Sequence, residues 1–249
     1  MALALRNKEL PMPEPAQTLP PVSTAPVLAV AEVISLAEVA ARRAEKFGRV
    51  IETLEQGADA RGAEVAESLA RAGFDPRAQR EAADKARATA RADLARNSSD
   101  ARWTALRELN AAAEALATTA QLWASPVTVL SRAGLGSAER SAYIAQLTGA
   151  GPVELTQMAT LATATGNKVL GAALVSILDR MPAKSRPVSA ADLAARLVGE
   201  EWRQVDSAIR AIRHANQASL NRNREFESGR SRPLDRVRLA LNANKEETN

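Results

Sequence analysis

Cysteine is absent from the chain, and histidine occurs once, at position 214. The first absence excludes disulfides, thiol catalysis and any zinc site built on thiolates. The second excludes a cluster of histidine metal ligands and the paired-histidine helix of zinc proteases. Aromatic residues make up only 3% of the 249 positions, so large rings cannot dominate the core. Alternating β-branched and polar residues, the mark of half-buried strands, are nearly missing. No apolar run approaches the ~18 residues that mark a membrane span. The longest, Val169 to Leu178, reads as a buried helix, and no span is expected. The start, Met1 to Leu10, has a short apolar stretch before its basic residues, which is the wrong order for a signal peptide.

Phosphate-binding and nucleophile motifs are missing as well. No GxxxxGK[ST] loop occurs, no GxSxG elbow surrounds a serine, and no GxGxxG follows a strand. Glu200 and Glu201 are adjacent and so diverge on a helix instead of forming a working pair. Gly134-Leu135-Gly136-Ser137 could offer backbone N–H groups to an anion, but a turn followed by an N-cap is the simpler reading. We therefore expect no catalytic centre, no cofactor and no metal.

Alanine fills much of what remains, with 54 residues, and apolar residues reach 46%. Alanine has the highest helix propensity but buries little area, so an Ala-rich core needs many close helix contacts. The fold class is all-α: an elongated Ala-rich bundle or hairpin, then a compact helical globule, then a long basic helix. Four segments follow from composition. Residues 1–26 hold six of the twelve prolines and read as an extended arm. Residues 27–124 carry heptads and nearly balanced charge. Residues 125–182 carry only seven charged residues and divide at glycines into four short helices, near 126–133, 138–148, 152–164 and 168–180. Residues 183–249 comprise a linker, a long basic helix, a short helix at 234–243 and a polar tail.

The strongest pattern is a heptad from Val30 through Val33, Ala37, Ala40, Ala44, Phe47, Ile51 and Leu54 to Ala58. It keeps one side of a helix apolar over about eight turns. Ile34, Leu36, Ala41 and Val50 widen that side beyond a two-stranded seam, which favours a bundle over a dimeric coiled coil. Leu106, Leu109 and Leu116 form a matching stripe on a helix expected over 100–124, suggesting an antiparallel partner within the chain. Gly57 and Gly62 are expected to interrupt the first helix, with a shorter segment ending at Gly73. Asp75-Pro76 and Ser125-Pro126 are strong helix starts. The helix at 76–96 has a face of Ala78, Ala82, Ala86 and Ala90, which must pack very closely or stand exposed.

Arginine outnumbers lysine 27 to 6, and residues 203–238 hold nine arginines against four acids. Arg203, Arg210, Arg213, Arg222, Arg224, Arg230 and Arg232 are the candidates for contact with nucleic acid, since arginine suits phosphates and base edges. The apolar side of this helix fades after Ile212, so its second half is expected to project. Residues 189–209, with Gly199 as the turn, resemble a helix-turn-helix in outline. The reading that fits the whole chain is a non-enzymatic structural or assembly protein of a large multi-subunit particle such as a virion. It would act through helix–helix and arm contacts with other protein subunits, in the cytoplasm or within the particle. The alternative is a DNA-binding regulator using 189–209 and 203–232.

Overall fold

The computed structural model describes residues 27–229, and every regular element in that range is helical. The Pro-rich arm, the helix expected at 234–243, Arg230 and Arg232 lie outside the described residues. Helix α1 spans Val30–Arg71, without a break at Gly57 or Gly62, and its 42 residues extend about 63 Å. Glu32 fixes its start by accepting the Ala29 N–H at 2.7 Å, and Glu45 pairs with Arg49 one turn on. The chain turns at Ala72–Asp75, where Gly73 takes a φ of 80° that other residues avoid. Asp75 then caps α2 (Pro76–Asn97), accepting from the N–H groups of Arg77 and Ala78.

Helix α3 (Ser99–Ala115) follows α2 almost at once and is separated from the short α4 (Ala117–Leu122) at Leu116. The single helix expected over 100–124 is thus divided. Four helices come next: α5 (Pro126–Ser131), α6 (Ala138–Leu147), α7 (Pro152–Thr165) and α8 (Lys168–Arg180). After one 3₁₀ turn at Ala183–Ser185, α9 runs from Ala190 to Ser228. It passes straight through Gly199, so there is no turn there and the helix-turn-helix outline at 189–209 is not formed.

Three apolar cores result. The first gathers Leu130, Leu147, Leu155, Leu170, Leu174 and Val175 from α5–α8 with Leu193, Ala194 and Val198 of α9. The second joins Val33 and Ala40 of α1 to Leu109 and Ala112 of α3, to Leu116, and to Val205, Ile209 and Ile212 of α9. The third joins Phe47 and Ile51 to Leu106 and Phe226. Ascending numbers on α1 meet ascending numbers on α9 and descending numbers on α3. Hence α9 lies parallel to α1, and α3 antiparallel to it. The stripe's partner is therefore in the same chain, and it is two helices, α3 and α9. Val33, Phe47, Ile51, Leu106, Leu109 and Leu116 are buried, while Val30 and Leu54 are half-buried against the same cores.

The second half of α9 does not project. Ala215, Ser219, Asn223 and Phe226 continue its inward register, and all are buried. The apolar side only looked exhausted because small and polar residues occupy it. Beside them, a Cβ at Gly48 of α1 would fall on the guanidinium tip of Arg222. Between the first and second cores, Trp202 ties α9 to the end of α4 by donating its indole N–H to the Trp123 carbonyl at 2.8 Å.

Candidate functional site

The α1–α3 pair has two flanks, and α9 fills one of them. It does so beside Gly48 of α1 and through Asn216, which bonds Asn110 of α3 at 3.2 Å. Two residues along a helix turn the side chain by about 200°. Val50 therefore points away from Gly48, and Glu108 away from Asn110. On that opposite flank lies a groove of about 650 Å³, lined by Arg43, Lys46, Phe47, Val50, Thr104 and Ala105 among others. Phe47 forms its floor at 3% exposure, and Val50 stands on its rim at 42%. Arg43 and Glu108 face each other across one end at 3.7 Å. An apolar floor with a charged rim is a surface that can take an amphipathic helix.

Beyond the bundle, the far ends of α1 and α2 form a stalk. None of the three cores contains a residue of α1 past Leu54 or of α2 before Leu94. What holds the stalk together is close contact between small residues. Ala58, Gly62 and Ala83 are buried, and the position of a Cβ on Gly62 lies 3.1 Å from the Ala83 carbonyl oxygen. Asp59 adds an ion pair with Arg87 at 2.8 Å. The expected Ala face of α2 is neither fully packed nor bare: Ala78, Ala82, Ala86 and Ala90 are each half-buried. Phe74, in the loop at the tip, is 53% exposed.

Where stalk meets bundle, Arg102 is buried at 2% exposure. Its guanidinium donates to the Ala95 carbonyl at 2.7 Å, to Ser98 Oγ at 2.9 Å, to Glu227 at 3.0 Å and to Asn223 Oδ1, and it lies over the Phe226 ring at 5.2 Å. This cluster pins the α2–α3 junction to the end of α9. Sequence reasoning missed it, although a signal was present. Arg102 sits four residues before Leu106 in the inward register of α3, and Asn223 sits in the inward register of α9.

The basic candidates on α9 are scattered by the structure. Arg203 pairs with Glu200 at 2.7 Å and Arg210 with Asp206 at 2.9 Å. Arg213 and Arg224 are exposed, Arg222 lies against Gly48, and His214 is on the surface. At the Gly134–Ser137 turn, Ser137 caps α6 by accepting the Arg140 N–H, and the Arg140 guanidinium donates to the carbonyls of Ser131 and Ala133 just before the turn. Among the described residues no group of histidine, aspartate and glutamate is arranged to hold a metal, and no helix is long and apolar enough to cross a membrane.

Fold and surfaces together define an all-α protein in which a three-helix bundle carries a projecting helical stalk and shares its longest C-terminal helix with a cluster of short helices. No protein-family model, curated protein or solved structure matches the chain.

Proposed function

We propose that this protein is a non-enzymatic structural subunit of a multi-subunit particle, of the kind a virion contains, and that it docks neighbouring subunits along α1. The observation that carries this reading is the open flank of the α1–α3 pair. On one flank α9 supplies a third helix. On the other lies a groove of about 650 Å³ with Phe47 as its floor and Val50 exposed on its rim. A helix from a neighbouring subunit would complete a four-helix arrangement there. The stalk, with its exposed Phe74, gives a second contact some distance away, as a particle component that bridges neighbours requires.

Light scattering on the full chain tests this reading. Its mass should exceed that of the 26.4 kDa monomer and rise with concentration. Val50→Asp should return it to the monomer while the helical circular dichroism stays unchanged. A chain that is monomeric at every concentration, yet binds DNA with an affinity that falls steeply with salt, would overturn it in favour of a regulator.

A further inference from the structure

The two rims of the open groove differ in sign. On α1 its charged residues are Arg43 and Lys46, and on the exposed side of α3 they are Asp100 and Glu108. Arg102 also reaches the groove wall, but its guanidinium is buried and held by Ala95, Ser98, Asn223 and Glu227. Arg43 and Glu108 stand level with each other, 3.7 Å apart, and both are about half exposed. Because α3 runs antiparallel to α1, seven residues on from Arg43 match seven residues back from Glu108. Val50 and Ala101 are therefore level too, about 10 Å along the groove, and both are exposed.

A partner for this groove must lay carboxylates over the α1 rim and cations over the α3 rim. The chain itself carries that pattern. A two-fold axis running along the groove sets α1 of each copy against α3 of the other. An axis across the groove would instead set α1 on α1, basic rim on basic rim. Only the first arrangement brings unlike charges together. It places Arg43 opposite Glu108 of the second copy, and Val50 on Ala101 of the second copy. The pair within each chain is kept, and the four side chains at that level alternate in sign. Given the reading of the groove as a subunit contact, we propose that its occupant is a second copy of this chain, related by a two-fold axis parallel to α1 and α3. The α1 and α3 helices of both copies then form a four-helix arrangement in which every adjacent pair is antiparallel. Such a contact is closed, so growth beyond the dimer falls to other surfaces, such as the stalk.

Charge exchange between two chains tests this arrangement. In Arg43→Glu four carboxylates would meet at the contact, and in Glu108→Arg four guanidinium groups. Both positions are on the surface, so the helical circular dichroism should stay as in the wild type. By light scattering, each variant alone should need about tenfold more protein than the wild type to form a dimer of the 26.4 kDa chain. An equimolar mixture of the two should dimerise at the wild-type concentration, because unlike pairs are restored between the chains and within neither. A mixture that associates no better than its parts would overturn the proposal. So would single variants that dimerise as readily as the wild type. If Val50→Asp still dissociates the chain in either case, the groove remains a subunit contact and only the assigned occupant and symmetry fall. A wild-type chain that is monomeric at every concentration would bring down both.

Discussion

The short helices between Pro126 and Arg180 and the stalk at the far ends of α1 and α2 are held together by different means. The first region packs leucine, valine and isoleucine around Leu174, with few charges to keep out of the way. Each such side chain contributes about 1.5–3 kcal/mol when fully buried. The stalk packs Ala58 and Gly62 on Ala83, which removes little apolar area per residue, and it surrounds that seam with ion pairs such as Asp59–Arg87. Exposed pairs of this kind contribute about 0–1 kcal/mol. Local stability should therefore fall along the molecule, from the first core through the bundle to the tip. Helix α9 spans the upper part of this gradient: Leu193 and Val198 sit in the first core, and Ser219 and Asn223 are buried at its other end, in the bundle.

The hardest blow to this gradient strikes its middle. Phe47→Asp places a carboxylate in the third core, among Ile51, Leu106 and Phe226, and should cost on the order of 4 kcal/mol. Urea denaturation followed by circular dichroism measures the loss. Amide exchange should show α1 and the second half of α9 opening while α8 stays protected. Equal loss of protection in α8 would show one cooperative unit instead of a gradient, and an unchanged midpoint would show that Phe47 is not the floor of the groove.

A smaller effect separates packing from polar clamping. Arg102→Ala removes the partner of the Ala95 carbonyl and of Asn223 in a dry site, and should cost about 3 kcal/mol. Arg102→Met keeps most of the volume but none of the donors, so it isolates the hydrogen-bonding share. A cycle with Asn223→Ala should return a coupling of about 1–2 kcal/mol that survives high salt, because the pair is buried and poorly screened. No measurable coupling would mean that the α2–α3 junction is held by Phe226 and its neighbours alone.

Much of this architecture is legible in the sequence because period and capping are local. The heptad from Val30 to Leu54, the Asp75-Pro76 and Ser125-Pro126 starts and the glycine breaks between α5 and α8 depend on residues within a few positions of each other. Helix continuity through Gly57, Gly62 and Gly199 is not local. A glycine weakens a helix by about 1 kcal/mol, and packing elsewhere in the fold decides whether the helix survives it. At Gly62 the compensating contact is with Ala83, some twenty positions away. The second half of α9 is hard to read for a related reason: hydropathy does not register Ser219 and Asn223 as inward residues, and Arg102, the partner of Asn223, comes from a helix far earlier in the chain. The candidate surface was only half legible. Val50 could be placed beside the stripe, but only the placement of α9 shows which side of α1 stays open.

The finest test of the gradient compares two stalk glycines. A Cβ on Gly57 would meet only the tip of Leu94, at an ordinary 3.6 Å, whereas on Gly62 it would lie 3.1 Å from the Ala83 carbonyl oxygen and 3.3 Å from Arg87 Cβ. Leu94 Cδ1 ends a flexible side chain, while the Ala83 oxygen is backbone and moves only if α2 moves. Gly57→Ala should therefore collect the helix-propensity gain of about 0.5–1 kcal/mol. Gly62→Ala should forfeit the same gain by pushing the two helices apart. Amide exchange over 59–71 and 76–91 reads both: slower in the first variant, faster in the second, with α8 unaffected in either. If Gly62→Ala also slows exchange, the stalk is not built on close backbone contact, and the contrast between its packing and that of the first core loses its physical basis.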